Sequence, residues 1–322
     1  KGTISEYSIV IATDKRIRVI SINDLYNQEI NYQTYSYEIT SSKAEQVMTS
    51  AVMYVTDVNP MSAVMLSIDS TSIVSANVEA LLTSNGFDVS YINPLLEAIP
   101  MDADMLVIDS PTNDFSAEII EQLYQFMENG GNYGKNMIYL ASYSQNDTTN
   151  IDAFLAEWGI KVEKSVLAES NAQNLASSTS PYALRNYITE NDYTENIAQL
   201  SLPVIAYQAS PITLLFENLT NVSTVPLLTT DVTAYAVTNE IIEEINKGNE
   251  PVFDYKAYNT IALANKYTFN ENNEQVLSNI LVFGSSLMLD ESLTNTTYYN
   301  NGDYFVSIIA KMTGKANGIN IV

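Results

Sequence analysis

The chain has 322 residues, enough for a sizeable core in one large domain or two, and its 38 Asp and Glu against 14 Lys and Arg give a formal charge of −24. Such a surface repels phosphate backbones and anionic headgroups, which argues against nucleic acid as a partner. The sequence holds no Cys and no His, which removes every Cys–His or Ser–His–Asp nucleophilic system and every zinc site built from thiolate or imidazole.

The first ~40 residues read as strands: EYSIVIAT, KRIRVISI after an Asp14-Lys15 turn, and the Tyr-rich NYQTYSYEIT. The next segment, SSKAEQVMTSAVMYVTD, carries apolar residues at Ala44, Val47, Met48, Ala51, Val52 and Val55, the stripe of a helix, with Ser42 as its expected N-cap. From Pro60 the pattern alternates. AVMLSI (63–68) is an apolar strand, VSANVEALLTSNG (74–86) a helix stopped by Gly86, and FDVSYI (87–92) a strand. A second unit repeats this order with DMLVID (104–109), a helix from Ser116 to Asn129, and NMIYLAS (136–142). A short helix, IDAFLAEWG, and a strand, IKVEKSVLAE, follow.

Residues 170–258 are less regular: polar loop with short helices, strands at LPVIAYQASPITLLF and VSTVPLLTT, and a solvated acidic helix in NEIIEEINKGNEPVFDY. Then NTIALANKYTF and QVLSNILVFG form a hairpin around NENNE, and NNGDYFVSIIAKMTG is a closing helix. Strands apolar throughout, alternating with amphipathic helices, predict an α/β fold: a Rossmann-like or flavodoxin-like, mostly parallel sheet with helices on both faces. The expected organisation is N-terminal strands and helix (1–58), an α/β core (59–169), an irregular insertion (170–258) and a C-terminal hairpin and helix completing the core (259–322).

In an open α/β sheet the loops beyond the carboxyl ends of the strands hold ligands. Those loops place three groups of candidates: Asp69, Ser70, Thr71 and Ser72 after the first core strand; Ser110, Thr112, Asn113 and Asp114 after the third; and Ser285 and Ser286 in FGSS. Hydroxyls and Asx side chains suit a polar ligand, although Pro111 and Asn113-Asp114 also make a turn and Ser116 a cap. Asp69 and Asp109 stand at equivalent strand ends, the arrangement of an acid–base carboxylate pair. Asn146, Asp147, Asn150 and Asp152 are oxygen ligands by type but lack EF-hand spacing, which reads as solvated loop, so no metal is expected. No G-x-G-x-x-G follows a core strand, no G-x-x-x-x-G-K-[ST] occurs, and no cofactor is expected.

No run of about 20 apolar residues spans a membrane, and no signal peptide is present. The start at Lys1 without an initiator Met, and the wealth of Asn, Thr, Ser and Tyr, point to an excised extracytoplasmic portion of a longer protein.

The order of EYSIVIATDKRIRVISINDLYN, SSKAEQVMTSAVMYVTD, IPMDADMLVIDSPTNDFSAEIIEQLYQFMENGGN, NIDAFLAEWGIKVEKSVLAE, VPLLTTDVTAY and NILVFGSS resembles the GldG-like, gliding-motility-type ABC transporter auxiliary proteins over most of the chain. The resemblance implies an extracytoplasmic domain held to the cell membrane by flanking segments, acting beside an ABC permease and ATPase, with a fold similar to class I glutamine amidotransferases but without their Cys–His machinery. Where that family often has a T-G-H-G-E-like turn, this chain has S-I-D-S-T-S, Ser67 to Ser72. Three expectations follow: a non-enzymatic transport module, a domain binding a glycan or small polar ligand, or an unusual hydrolase using Asp69, Asp109 and nearby serines.

Overall fold

In the computed structural model, residues 4, 6–31, 34, 36–67, 72–195, 197 and 201–314 are described. β1 (Ser8–Ala12) and β2 (Ile17–Ser21) pair antiparallel, as do β3 (Tyr26–Asn31) and β4 (Ser36–Ser42). The helix α1 (Ala44–Thr56) joins them through Val47 and Met48, packed around buried Ile20, Leu25 and Ala51. The N-cap of α1 is Lys43 and not the expected Ser42, which lies one residue earlier and whose Oγ accepts from the amide of Ala44 at 3.3 Å. Arg16 fastens this unit to the core: Nη1 donates to the carbonyls of Tyr54 and Asp57, and Nε faces Asp88 at 3.6 Å.

The core begins with β5 (Met61–Leu66), α2 (Ile73–Ser84) and β6 (Phe87–Ile92). Ser72 caps α2 by accepting from the amide of Ser75, and Gly86, at φ +80°, takes the left-handed turn that starts β6. The second unit is β7 (Met105–Asp109), α3 (Ala117–Glu128) capped by Ser116, and β8 (Asn136–Leu140), followed by α4 (Thr149–Glu157). Beyond it lie β9 (Ile160–Val162), β10 (Val166–Glu169), β11 (Ala183–Ile188), β12 (Val204–Tyr207), β13 (Ile212–Leu214), β14 (Asn218–Leu219), β15 (Val222–Thr229), β16 (Ala234–Val237) and α5 (Asn239–Asn246). The long hairpin β17 (Asn259–Phe269) and β18 (Gln275–Phe283) leads to α6 (Glu291–Thr294) and α7 (Asn301–Thr313).

One sheet dominates, in the order β12-β11-β15-β17-β18-β8-β7-β5-β6, with β9, β13 and β14 off that path. The half from β18 to β6 is parallel; the half from β18 to β12 is antiparallel. The α/β class, the helices on both faces and the N-terminal hairpin region are thus as the sequence predicts. The stretch 170–258 supplies β11, β12 and β15 to the main sheet, so it is tied into the core by backbone pairing.

Alternation along each strand divides the core in two. Ala63, Met65, Met105, Val107, Ile138 and Leu140 meet Val78 and Leu82 of α2 and Phe305 and Ile308 of α7. Val64, Leu66, Leu106, Ile108, Met137 and Tyr139 meet Leu123 and Phe126 of α3 and Phe154 and Leu155 of α4. Strands so enclosed must be apolar on both sides, which is why β5, β7 and β8 read as continuous hydrophobic runs.

Polar groups lock the amino end of this sheet. Lys135 is buried and its Nζ donates to the carbonyls of Met101 (2.9 Å) and Ala103 (2.6 Å). Ser278 Oγ donates to the carbonyl of Met127, and Asn279 Nδ2 donates to Asn136 Oδ1 across the β8–β18 pair. No described helix is long and apolar enough to cross a membrane.

Candidate functional site

The chain runs from β5 outward to β6, then returns to place β7 on the other side of β5. The helices after these two strands take opposite faces, α2 on one and α3 on the other. The carboxyl ends of β5 and β7 therefore form a topological switch point, the place at which doubly wound sheets open a crevice for ligands.

Asp109, the last residue of β7, stands at that switch point. Its Oδ2 accepts from Ser72 Oγ and from Ser75 Oγ, both at 2.6 Å, and its Oδ1 accepts from Ser110 Oγ at 3.1 Å. Ser72 reaches it because an N-cap side chain turns back over the first turn of its helix; Ser75, three residues on, lies on the same side. Ser110 sits at φ +39°, a left-handed conformation uncommon outside glycine, and its amide donates to the carbonyl of Leu140 at 2.8 Å. Beside the cluster, the Tyr91 hydroxyl donates to Glu79 Oε2 at 2.9 Å. Burial first, then the Glu79 hydrogen bond and the charges of Glu79 and Asp109, hold that phenol's pKa well above its ordinary value.

The third loop arrives through the backbone. The amide of Ser286 donates to the carbonyl of Ala141 at 2.7 Å, and Ser110 Oγ lies 3.3 Å from that same oxygen. Ser72, Ser110 and Ser286 are thereby linked across the ends of β5, β7, β8 and β18, the convergence expected from the parallel strands. Ser285 is buried, and its Oγ accepts from the amide of Leu287 to start a short turn. Asp69, Ser70 and Thr71 lie outside the described residues.

The remaining candidates do other work. Asp114 reaches across to α4, accepting from the amides of Asn150 (2.8 Å) and Ile151 (3.3 Å), and so caps that helix from a different loop. Thr112 gives its carbonyl to Asn146 Nδ2 at 2.7 Å, while Asn113 is exposed with its Nδ2 near Thr112 Oγ1. In the 146–152 loop, Asn146 and Asn150 donate through Nδ2 to the carbonyls of Thr112 and Phe115, and Asp152 accepts from Thr148 Oγ1 and pairs with Lys164 at 3.3 Å. Among the described residues no group of three or more acidic side chains is placed to hold a metal ion.

Two features of this edge escape a reading of candidate polar residues. One is Ser75, detectable only by noting that it follows the Ser72 cap at helical i+3 spacing. The other is apolar: Ile73 at the start of α2 and Leu95 and Leu96 in the loop after β6 are 80%, 60% and 81% exposed. Because β5 and β6 are parallel neighbours, both loops emerge at the same edge as Asp109.

No protein-family model and no curated protein matches the chain. Among solved structures, an IFT52 N-terminal domain superposes with a TM-score of 0.54 at 13% identity, covering 79% of this chain and 98% of that one. The likeness is one of fold. A Thermoplasma acidophilum protein described as a GMP synthase subunit covers 80% of this chain and 96% of its own, with a TM-score of 0.35 and 8% identity, an overlap too loose to bear on function.

Proposed function

We propose that this chain is a non-enzymatic, extracytoplasmic domain of a membrane-anchored ABC-type transport auxiliary protein, working by protein contact at the carboxyl edge of its sheet, in one complex with a permease and its ATPase. The observation that carries the reading is the contrast at that edge. Among the described residues there, Asp109 is taken up by three serine hydroxyls, whereas Ile73 at the start of α2 and Leu95 and Leu96 on the loop after β6 stand bare. Full burial of one such side chain against a partner is worth roughly 1.5–3 kcal/mol, so these three residues offer contact energy and the carboxylate offers little. The absence of His and Cys supports the same side of the argument, and the GldG-like order of motifs supplies the transport setting.

Because the chain has no Cys, a single Leu96→Cys substitution gives a unique handle. In cells making the anchored protein, a membrane-impermeant maleimide is expected to label Cys at 96 from outside, and a benzophenone maleimide at that position to crosslink to a permease subunit. Labelling only after lysis would refute the location; complete labelling without such a crosslink would refute the docking. A small polar ligand or glycan at the same edge has one observation in its favour, Tyr143, 42% exposed on the loop after β8. Saccharide binding by calorimetry, lost in Tyr143→Ala, would favour it instead.

A further inference from the structure

A separate surface lies on an arm built from residues 234–256. Its base is closed by the bridge between Tyr235 and Tyr255 and by the amide of Lys256 donating to the carbonyl of Ala234 at 3.1 Å. The rings of Tyr235, Phe253 and Tyr255 clasp one another there, with centroids 4.3 to 6.1 Å apart. At the far end stands α5, Asn239–Asn246, started by Thr238 Oγ1 accepting from the amide of Ile241.

Helical spacing puts Ile241, Ile242 and Ile245 on one face and Glu240, Glu243 and Glu244 on the opposite one. No residue of α5 is buried; Ile242 and Ile245 are 44% and 50% exposed. An eight-residue helix is too short to hold itself in water by propensity, so packing of its apolar face must provide the stability. The chain's own body leaves much of that face uncovered.

We propose that the Ile242–Ile245 stripe of α5 is a docking surface for a protein whose apolar groove is rimmed by Lys and Arg, a helix-in-groove contact separate from the carboxyl edge. Charge selects the partner. The face of α5 behind the stripe is acidic, with Glu243 and Glu244 sharing Lys247 at 3.8 and 2.9 Å and Glu240 exposed beside them, and the chain as a whole carries −24. Helices that lie on membranes carry Lys and Arg on their polar face, and anionic lipid repels this one. A second copy of the chain brings like charges together, which opposes self-association.

The test uses the purified chain and a synthetic amphipathic helix of Leu and Lys as probe. Fluorescence anisotropy at moderate salt compares wild type with Ile242→Ser/Ile245→Ser, which keeps every charge, and hydrogen exchange locates the contact. The expected result is binding weakened roughly tenfold in the variant, with peptide-dependent protection of residues 239–247 in the wild type. Equal affinity for both proteins, protection elsewhere, or sedimentation showing a wild-type dimer that the variant lacks would each overturn the proposal. Because these measurements need no membrane, their failure is distinct from failure of the crosslink at residue 96.

Discussion

Replacing Asp109 by Ala tests whether the switch point is held together by its own side chains. The substitution removes the acceptor of three hydroxyls at 2.6, 2.6 and 3.1 Å. Their losses are unequal. Ser72 is exposed and turns to water, and Ser110 Oγ already lies 3.3 Å from the carbonyls of Leu140 and Ala141. Ser75 is 8% exposed, so its hydroxyl loses its strongest partner with little water to replace it, a cost of about 1–3 kcal/mol. Asp109→Ala is therefore expected to lower stability by about 2–3 kcal/mol, and Asp109→Asn, whose amide oxygen still accepts, by about 1 kcal/mol. Urea unfolding followed by circular dichroism measures both, with unchanged m values as the control. Adding Ser75→Ala to Asp109→Ala should cost less than the sum of the two singles, because both remove the same bond. An Asp109→Ala midpoint equal to wild type would refute the reasoning, and so would full additivity. If Asp109→Asn keeps the fold but abolishes a measured turnover, the carboxylate is there for chemistry and the docking reading fails with it.

Gly284 ends β18 where an added Cβ would run into the carbonyl oxygen of Ser210 and crowd that of Thr260, both backbone atoms; Gly284→Ala should cost about 3 kcal/mol, seen as a lower thermal midpoint, and a neutral result would show that the loop yields freely. Arg16→Ala removes the donor to the Tyr54 and Asp57 carbonyls and the partner of Asp88, so limited proteolysis should cut within residues 6–56 faster while the core's urea midpoint holds; unchanged digestion would sink this assignment. Burial raises the pKa of Tyr91, Tyr139 and Tyr304, and burial with a Glu157 hydrogen bond pushes Tyr124 up to about 12. The unfolded chain releases these protons near pH 10 while the native state keeps them, so their stabilisation is complete below about pH 10 and drains away as pH rises through 10–12. Absorbance at 295 nm should show these phenols ionising only as the protein unfolds, and a urea midpoint flat across that range would count against it.

The sequence exposes the parts of the fold whose cause is local. β5, β7 and β8 announce themselves as apolar runs because both faces are covered, and Ser116 and Gly86 mark helix ends by their own chemistry, whereas Ser72, read as a loop candidate, proves to be the cap of α2. Partnerships at long range leave no such mark. β11, read from sequence as polar loop, alternates exposed Arg185 and Tyr187 with Leu184 and Asn186, and Asn186 is buried only because Thr260 Oγ1 donates to it from β17. The segment IKVEKSVLAE looks like one strand but divides at Glu163–Ser165, since β9 pairs with β13 while β10 pairs with β16. Nor does any local signal place β18 beside β8, the contact that brings Ser286 to the same edge as Ser110.

The two ends of the parallel sheet show how the same strand pattern serves two purposes. At the amino end, Lys135, Ser278 and Asn279 are buried and donate to the carbonyls of Ala103 and Met127 and to Asn136 Oδ1, so their donors contribute rigidity there. At the carboxyl end the hydroxyls of Ser72, Ser75 and Ser110 are matched to Asp109, yet the start of α2 and the loop after β6 present Ile73, Leu95 and Leu96 to solvent. A pocket built for turnover keeps acceptors unspent for its substrate and hides its apolar lining from water. Among the described residues this edge does the reverse on both counts, which is the ground on which contact with another protein is proposed for it.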